Sequence, residues 1–130
     1  MKSNYHTHTT WCDGRDTPRT VIETALRKGF DVIGFSSHMS LPEASDSVID
    51  PAKVGDYVAE IRSLQKEYEG RIRVLCGGEA DYIPGTTTPE KARYAAYGFD
   101  YLIGSIHYVV ADDGARVPVD HTPVLLKDGI

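Results

Sequence analysis

Asp31-Val32-Ile33-Gly34-Phe35-Ser36-Ser37-His38 is the stretch on which the fold turns. The short apolar run from Asp31 to Phe35, rich in β-branched residues, reads as a buried strand of a parallel sheet. Past Phe35 the chain turns polar and reaches an imidazole. The same change recurs twice downstream: Ile72 to Leu75 leads into Gly77-Gly78-Glu79-Ala80-Asp81, and Tyr101 to Ile103 leads into Gly104-Ser105-Ile106-His107. Upstream, Asn4 to Gly14 reads Asn-Tyr-His-Thr-His-Thr-Thr-Trp-Cys-Asp-Gly. In an extended strand side chains at i and i+2 share a face, so His6 and His8 stand side by side with Thr7 turned away. Asp13-Gly14 is a turn signal that sets a carboxylate just past the strand end.

Between these runs lie three helices with one punctuation: a capping residue, Pro at the first helical position and Gly after the last turn. Thr17-Pro18 opens the first, whose apolar stripe is Val21, Ile22, Ala25 and Leu26, and Gly29 stops it. Asp50-Pro51 opens the second, which runs to Gly70 with Val54, Tyr57, Val58, Ile61, Leu64 and Tyr68 at three- and four-residue steps. Thr88-Pro89 opens a short third that closes at Tyr97-Gly98. Strand and helix alternate, which is the pattern of repeated βαβ units and of a parallel sheet covered by helices. In such a sheet or barrel the carboxyl ends of all strands gather on one face. His6, His8, Asp13, His38, Glu79 and His107 therefore converge, and they include four of the five histidines. Singly, each has a bland reading as a surface or core residue; a lone His-x-His is a weak motif. Together they predict a site for a divalent transition metal.

Composition narrows the setting. The 130 residues are 41% hydrophobic and 25% charged, as in one soluble globular domain. A net charge of -5 argues against broad electrostatic binding to nucleic acid. Neither a signal-type apolar region nor a bilayer-length window is visible, so the cytoplasm is the expected compartment. Cys12 and Cys76 form no C-x-x-C and fit free thiols; Cys76 reads as core, and Cys12 lies near the histidine pair without being assigned to it. Gly77-Gly78 alone does not make a phosphate loop. The polar segments from Met39 to Ile49 and from Tyr108 onward are expected near the ligand face, where specificity resides.

The ordered set His6-Thr7-His8 with Cys12-Asp13-Gly14, Gly34-Phe35-Ser36-Ser37-His38, Gly78-Glu79-Ala80-Asp81-Tyr82-Ile83-Pro84-Gly85 and Asp100 to His107 resembles PHP (polymerase and histidinol phosphatase) domains. Within them the Glu-x-Asp-Tyr-Ile-Pro-Gly and Gly-Ser-Ile-His segments favour the histidinol-phosphate phosphatase branch. The resemblance implies a TIM-barrel-like α/β fold, a distorted seven-stranded (β/α) barrel. Such barrels need roughly 200 residues or more, so residues 1–130 are expected to be about the N-terminal half, truncated on the C-terminal side. It also implies two or three divalent ions (Zn, Mn or Fe) in a complete domain. His6 and His8 would hold one, Glu79 would bridge it to a second shared with His107, and Asp13 with His38 would hold a third. Glu79 and His107 are then the catalytic candidates, and Val119-Asp120-His121 resembles a segment of substrate contact or structural role. The implied substrate is a small phosphomonoester, L-histidinol phosphate, hydrolysed in histidine biosynthesis, with neither nucleic acid nor membrane as partner. Two alternatives stay open: a PHP phosphoesterase of another substrate class, and a metal-binding half-barrel without turnover. An open half-barrel is further expected to self-associate or to pair with its missing C-terminal half.

Overall fold

A computed structural model describes residues 1–39, 47–87 and 89–119. Its elements are β1 (Ser3–Asn4), α1 (Pro18–Arg27), β2 (Val32–His38), α2 (Val54–Glu67), β3 (Arg73–Asp81), α3 (Lys91–Tyr94), β4 (Tyr101–Ser105) and a closing hairpin of β5 (Tyr108–Val110) and β6 (Arg116–Pro118). β1 to β4 form one all-parallel sheet in chain order, the arrangement of successive units in an open section of a (β/α) barrel.

Local chemistry accounts for the helix limits. Thr17 is extended and its hydroxyl accepts from the Thr20 N–H, Pro18 occupies the first turn, and Gly29 leaves the helix at φ 71°. Asp50 likewise accepts from the Ala52 N–H at 2.9 Å, but the turn it caps, Pro51–Lys53, is a 3-10 turn that passes into α2 at Val54. The third helix differs most from expectation. It begins at Lys91 with Glu90 before it and no side-chain cap, and it tightens into a 3-10 turn over Ala95–Tyr97 before Gly98 at φ 67°. Pro89 is not its first residue; the proline ring lies against β4, where a Cβ on Gly104 would come within 3.3 Å of it. A segment this short gains too few helical hydrogen bonds to extend back over that contact. Thr88, the expected cap, lies outside the described residues.

The strands run further than their apolar runs, so His38 and Glu79 lie inside the ladder and face each other in register. Alternation sorts the two faces. Ile33, Phe35, Val74, Cys76 and Ala80 turn toward the helices and pack with Ile22, Tyr57, Ile61, Leu64 and Tyr68 into the core. Ser36, Gly77 and Tyr101 share a row on the opposite face, and His38, Glu79 and Ile103 form the next row toward the carboxyl ends.

That inner face has a floor. The Tyr101 ring lies over Gly34 and Gly77: a Cβ on Gly77 would stand 2.7 Å from the ring and 2.8 Å from the Tyr101 carbonyl oxygen. Its hydroxyl sits 2.6 Å from the Tyr5 carbonyl and 2.9 Å from that of Phe35, donating to one at a time and tying β4 to the amino-terminal segment. Beside it Tyr5, Arg73, Leu75, Asp100 and Tyr101 line an open cavity of about 470 Å³.

Described residues of both polar segments reach the carboxyl end of the sheet. The Ile49 N–H donates to the His38 carbonyl and the Val119 N–H to that of His107, each at 2.9 Å. The sequence suggests only a polar tail beyond Tyr108, whereas Tyr108 to Pro118 forms an antiparallel hairpin that turns through Gly114 at φ 84°. Its alternation is too short to register as strand. Asp120 and His121 lie outside the described residues. Among the described residues no helix is long and apolar enough to cross a membrane.

Candidate metal centre

His6 and His8, expected within a strand, lie just past one. The β1 ladder ends at Asn4. The extended course nevertheless continues, because the Ser36 N–H donates to the Thr7 carbonyl at 2.9 Å and the Thr7 hydroxyl to the Gly34 carbonyl at 2.6 Å. Thr7 is thus turned onto β2, and its two neighbours project into the site with ring centroids 5.0 Å apart. The chain then reverses tightly: the N–H groups of Cys12 and Gly14 both donate to the Thr9 carbonyl, at 3.0 and 2.9 Å. Only glycine fits at position 14, since a Cβ there would lie 2.4 Å from the Thr9 nitrogen. This turn swings Asp13 back over the histidines.

Glu79 is the centre of the arrangement and is only 2% exposed. Its Oε1 lies 3.2 Å from His6 Nε2 and 3.9 Å from His107 Nε2; its Oε2 lies 3.2 Å from His8 Nε2 and 3.0 Å from His38 Nδ1. Asp13 spans the rim, with Oδ1 3.5 Å from His8 Nδ1 and Oδ2 3.3 Å from His38 Nε2. All six residues predicted for the site therefore meet. Their donor atoms fall into three groups close enough to share an ion: His6, His8 and Glu79; His8, Asp13 and His38; His38, Glu79 and His107. A neutral imidazole has one free lone pair, so His8 and His38 each serve one group at a time.

Two observations test whether a cation suits this cluster. Ring nitrogens crowd the buried Oε2 of Glu79 at close range, yet no hydrogen bond of good geometry is made to it. Buried carboxylate oxygens are seldom left so, and ligand atoms stand this way around an ion. The donors themselves, imidazole and carboxylate, are those that zinc, manganese and iron take. The residues fit the metal.

Charge within the cluster obeys the same geometry. Burial would raise the Glu79 carboxyl, but His38 and His8 hold it well below the usual carboxylate range. The Cys12 thiol and the Glu79 carboxylate push His8 up to about 10 against burial. Burial opposes ionisation of Cys12 as well, yet its hydrogen bond with His8, Sγ to Nδ1 at 3.5 Å, brings the thiol down to about 7. Against burial, Glu79 also raises His38.

A PHP domain model matches residues 4–126. The chain belongs to the PHP family. It is 36% identical over 109 residues to a protein of Deinococcus radiodurans named probable histidinol-phosphatase, a match covering 82% of this chain and 42% of that protein. In structure the PHP chain superposes with a TM-score of 0.83 on a Listeria monocytogenes protein assigned as a histidinol phosphatase, at 20% identity over 99% of this chain and 53% of the other. The histidinol phosphate phosphatase of Lactococcus lactis, solved with zinc, L-histidinol and phosphate, matches with a TM-score of 0.59 and 23% identity, covering 82% of this chain and 39% of that one. The four parallel strands are thus a half-barrel of this TIM-barrel-like fold, and the PHP chain spans less than half of its curated relative.

Sequence reasoning passed over three contributors. Asp81 and Ser105 stand beside His107, and Tyr101 floors the inner face. The spacing of Asp81, two residues after Glu79 and so on its face, was the available signal for the first. The same spacing links Ser105 to His107, whereas no local pattern announces Tyr101.

Proposed function

We propose that this PHP chain supplies part of the metal centre of a phosphomonoesterase acting on L-histidinol phosphate in histidine biosynthesis. One observation carries the reading: four imidazoles and the Asp13 carboxylate converge around the buried carboxylate of Glu79 at the carboxyl ends of the strands. The substrate comes from the relatives, including the one solved with L-histidinol and phosphate.

His6, His8, Asp13, His38, Glu79 and His107 would hold the ions, zinc, manganese or iron, two or three in a complete barrel. Bound there, such ions supply Lewis acidity, neutralising phosphate charge and making water a stronger nucleophile at neutral pH. The protein contributes order. β3 fixes Glu79 where it faces all four imidazoles, and its ionised carboxylate offers one oxygen to each side. His107 closes the cluster toward β4, and these two residues are the catalytic candidates. The Asp13 carboxylate, about half exposed on the rim, holds the outer side of His8 and His38.

Residues 1–130 are read as part of a PHP domain whose remaining units complete the barrel, since the match spans 42% of the Deinococcus relative. The same figure favours a second reading, a half-barrel that binds metal without turning over substrate. Phosphate release from L-histidinol phosphate, a sugar phosphate and a nucleotide, measured on residues 1–130 and on a barrel-length form, separates these. The expected result is preference for L-histidinol phosphate by the longer form and far slower release by residues 1–130. A large preference for a nucleotide or sugar phosphate refutes the substrate. Elemental analysis finding no retained metal refutes the centre.

A further inference from the structure

Asp81 belongs to none of the three groups of metal-competent donors, yet it is buried beside them. It is the last residue of β3, paired in register with Ser105 at the end of β4. Its backbone is pinned as well: the Thr87 hydroxyl donates to its carbonyl at 2.7 Å. The side chain spends one oxygen on two neighbours. Oδ1 accepts from the Ser105 hydroxyl at 2.6 Å and is hydrogen-bonded to Nδ1 of His107. Ser105 Oγ also lies 3.4 Å from that Nδ1, so hydroxyl and carboxylate bracket the same ring atom.

The Ser105 hydroxyl already donates to Oδ1, and a carboxylate oxygen that accepts from both neighbours requires the His107 proton on Nδ1. A neutral imidazole protonated at Nδ1 carries its lone pair on Nε2. In His107 that atom is the one directed at Glu79.

We propose that Asp81, steadied by Ser105, is a positioning residue that holds His107 in its Nδ1–H tautomer and so presents Nε2 as a ligand beside Glu79. The inference rests on the metal-centre reading above, and it adds a residue that reading does not use. Carboxylates in this position orient the ring and raise the basicity of the ligating nitrogen, and their loss commonly weakens metal binding about 10- to 100-fold. Replacement by Asn keeps the shape but not the charge, so its oxygen accepts less strongly and its amide competes to donate.

The test joins a spectroscopic readout to an affinity. In the metal-free 130-residue chain, ¹⁵N–¹H correlation spectra of the imidazoles, taken where the His107 ring is neutral, report which nitrogen bears the proton. Zinc affinity is measured in parallel by competition with a chelator, on wild type, Asp81→Asn, Asp81→Ala and Ser105→Ala. Wild-type His107 is expected as the Nδ1–H form. Asp81→Ala should move it toward Nε2–H and weaken zinc roughly 10- to 100-fold, with Asp81→Asn and Ser105→Ala giving smaller losses. If Asp81→Ala fails to fold, Asp81→Asn and Ser105→Ala carry the comparison. A wild-type ring already in the Nε2–H form overturns the inference, as does a tautomer or zinc affinity unchanged in every folded variant. Should wild type bind no zinc while His107 shows Nδ1–H that shifts in the variants, the metal-centre reading fails and the Asp81 tautomer lock stands.

Discussion

Replacing Asp100 by Ala removes the residue that fastens β3 to its neighbours, at the end of the sheet away from the candidate metal centre. Asp100 Oδ2 accepts from the Cys76 N–H at 2.9 Å, from Arg62 Nη1 at 2.8 Å and from Gln65 Nε2 at 3.2 Å. These losses are unequal. Cys76 is fully buried, so its N–H is left without a partner, at a cost of about 1–3 kcal/mol. Arg62 is a third exposed and keeps the Gly98 carbonyl at 2.6 Å, so its ion pair contributes at most about 1 kcal/mol. Gln65 retains the Val74 carbonyl at 2.7 Å and adds little. The sum is roughly 1–4 kcal/mol, or a fall in Tm of roughly 3–16 °C for a domain of this size. Urea and thermal unfolding at matched protein concentration measure it, with zinc content as a control expected to stay unchanged. A pH series adds the sign. Burial raises Asp100, but Arg62 and the Cys76 N–H outweigh it and hold its carboxyl below the ordinary value. A depressed folded pKa contributes stability that is present above the unfolded value near about 3.9 and is lost as pH falls through the folded one. The gap between wild type and Asp100→Ala should therefore be full at neutral pH and narrow below about pH 4. A loss under about 0.5 kcal/mol at pH 7 would show that Cys76 finds another partner and refute the reasoning.

The site and the inner face carry further expected outcomes. A His6→Ala/His8→Ala double variant should retain much less metal than wild type by elemental analysis; equal content would place the ion elsewhere. With His8 pushed up to about 10 by Cys12 and Glu79, an ion that binds there at pH 7 must displace a proton. Zinc binding should thus release protons and tighten as pH rises, and calorimetry in buffers of different ionisation enthalpy would contradict this by showing no buffer dependence. Gly77→Ala drives a methyl into both the Tyr101 ring and its backbone carbonyl and should cost about 1–3 kcal/mol, whereas Gly34→Ala meets only the phenol end of the ring and should cost less; equal costs would show that the ring cannot yield at Gly34 and refute the difference. Tyr5 and Ile106 are 42% and 58% exposed, and β1 and β4 end the sheet, so a self-associated or partner-bound species is expected. Light scattering with size exclusion that finds a sharp monomer at micromolar concentration would count against it.

Much of the site was legible because its signals are local or repetitive. Thr17-Pro18 and Gly29 mark α1 within a few residues of chain, and each apolar run leading to His38, Glu79 or His107 repeats one pattern. Where competing contacts decide, the local signal failed: Pro89 opens no helix because its ring packs on β4 at Gly104. His6 and His8 kept the expected side-by-side stance for another reason than strand pairing. Hydrogen bonds from Ser36 and to Gly34 hold Thr7 after the ladder itself has ended.

By itself the sequence determined the order of the four parallel strands and their helices, and with it the end of the sheet where the six candidate ligand side chains collect. Periodicity, caps and strand-end residues are properties of the chain, and the parallel topology they imply admits one ligand face. Which atoms meet on that face was decided only by tertiary structure. The register of His38 against Glu79, the burial of Glu79, the bracket of Asp81 and Ser105 on His107 and the Tyr101 floor over Gly34 and Gly77 all join residues from different strands. Such contacts depend on ladder register and side-chain packing together, which no window of sequence encodes.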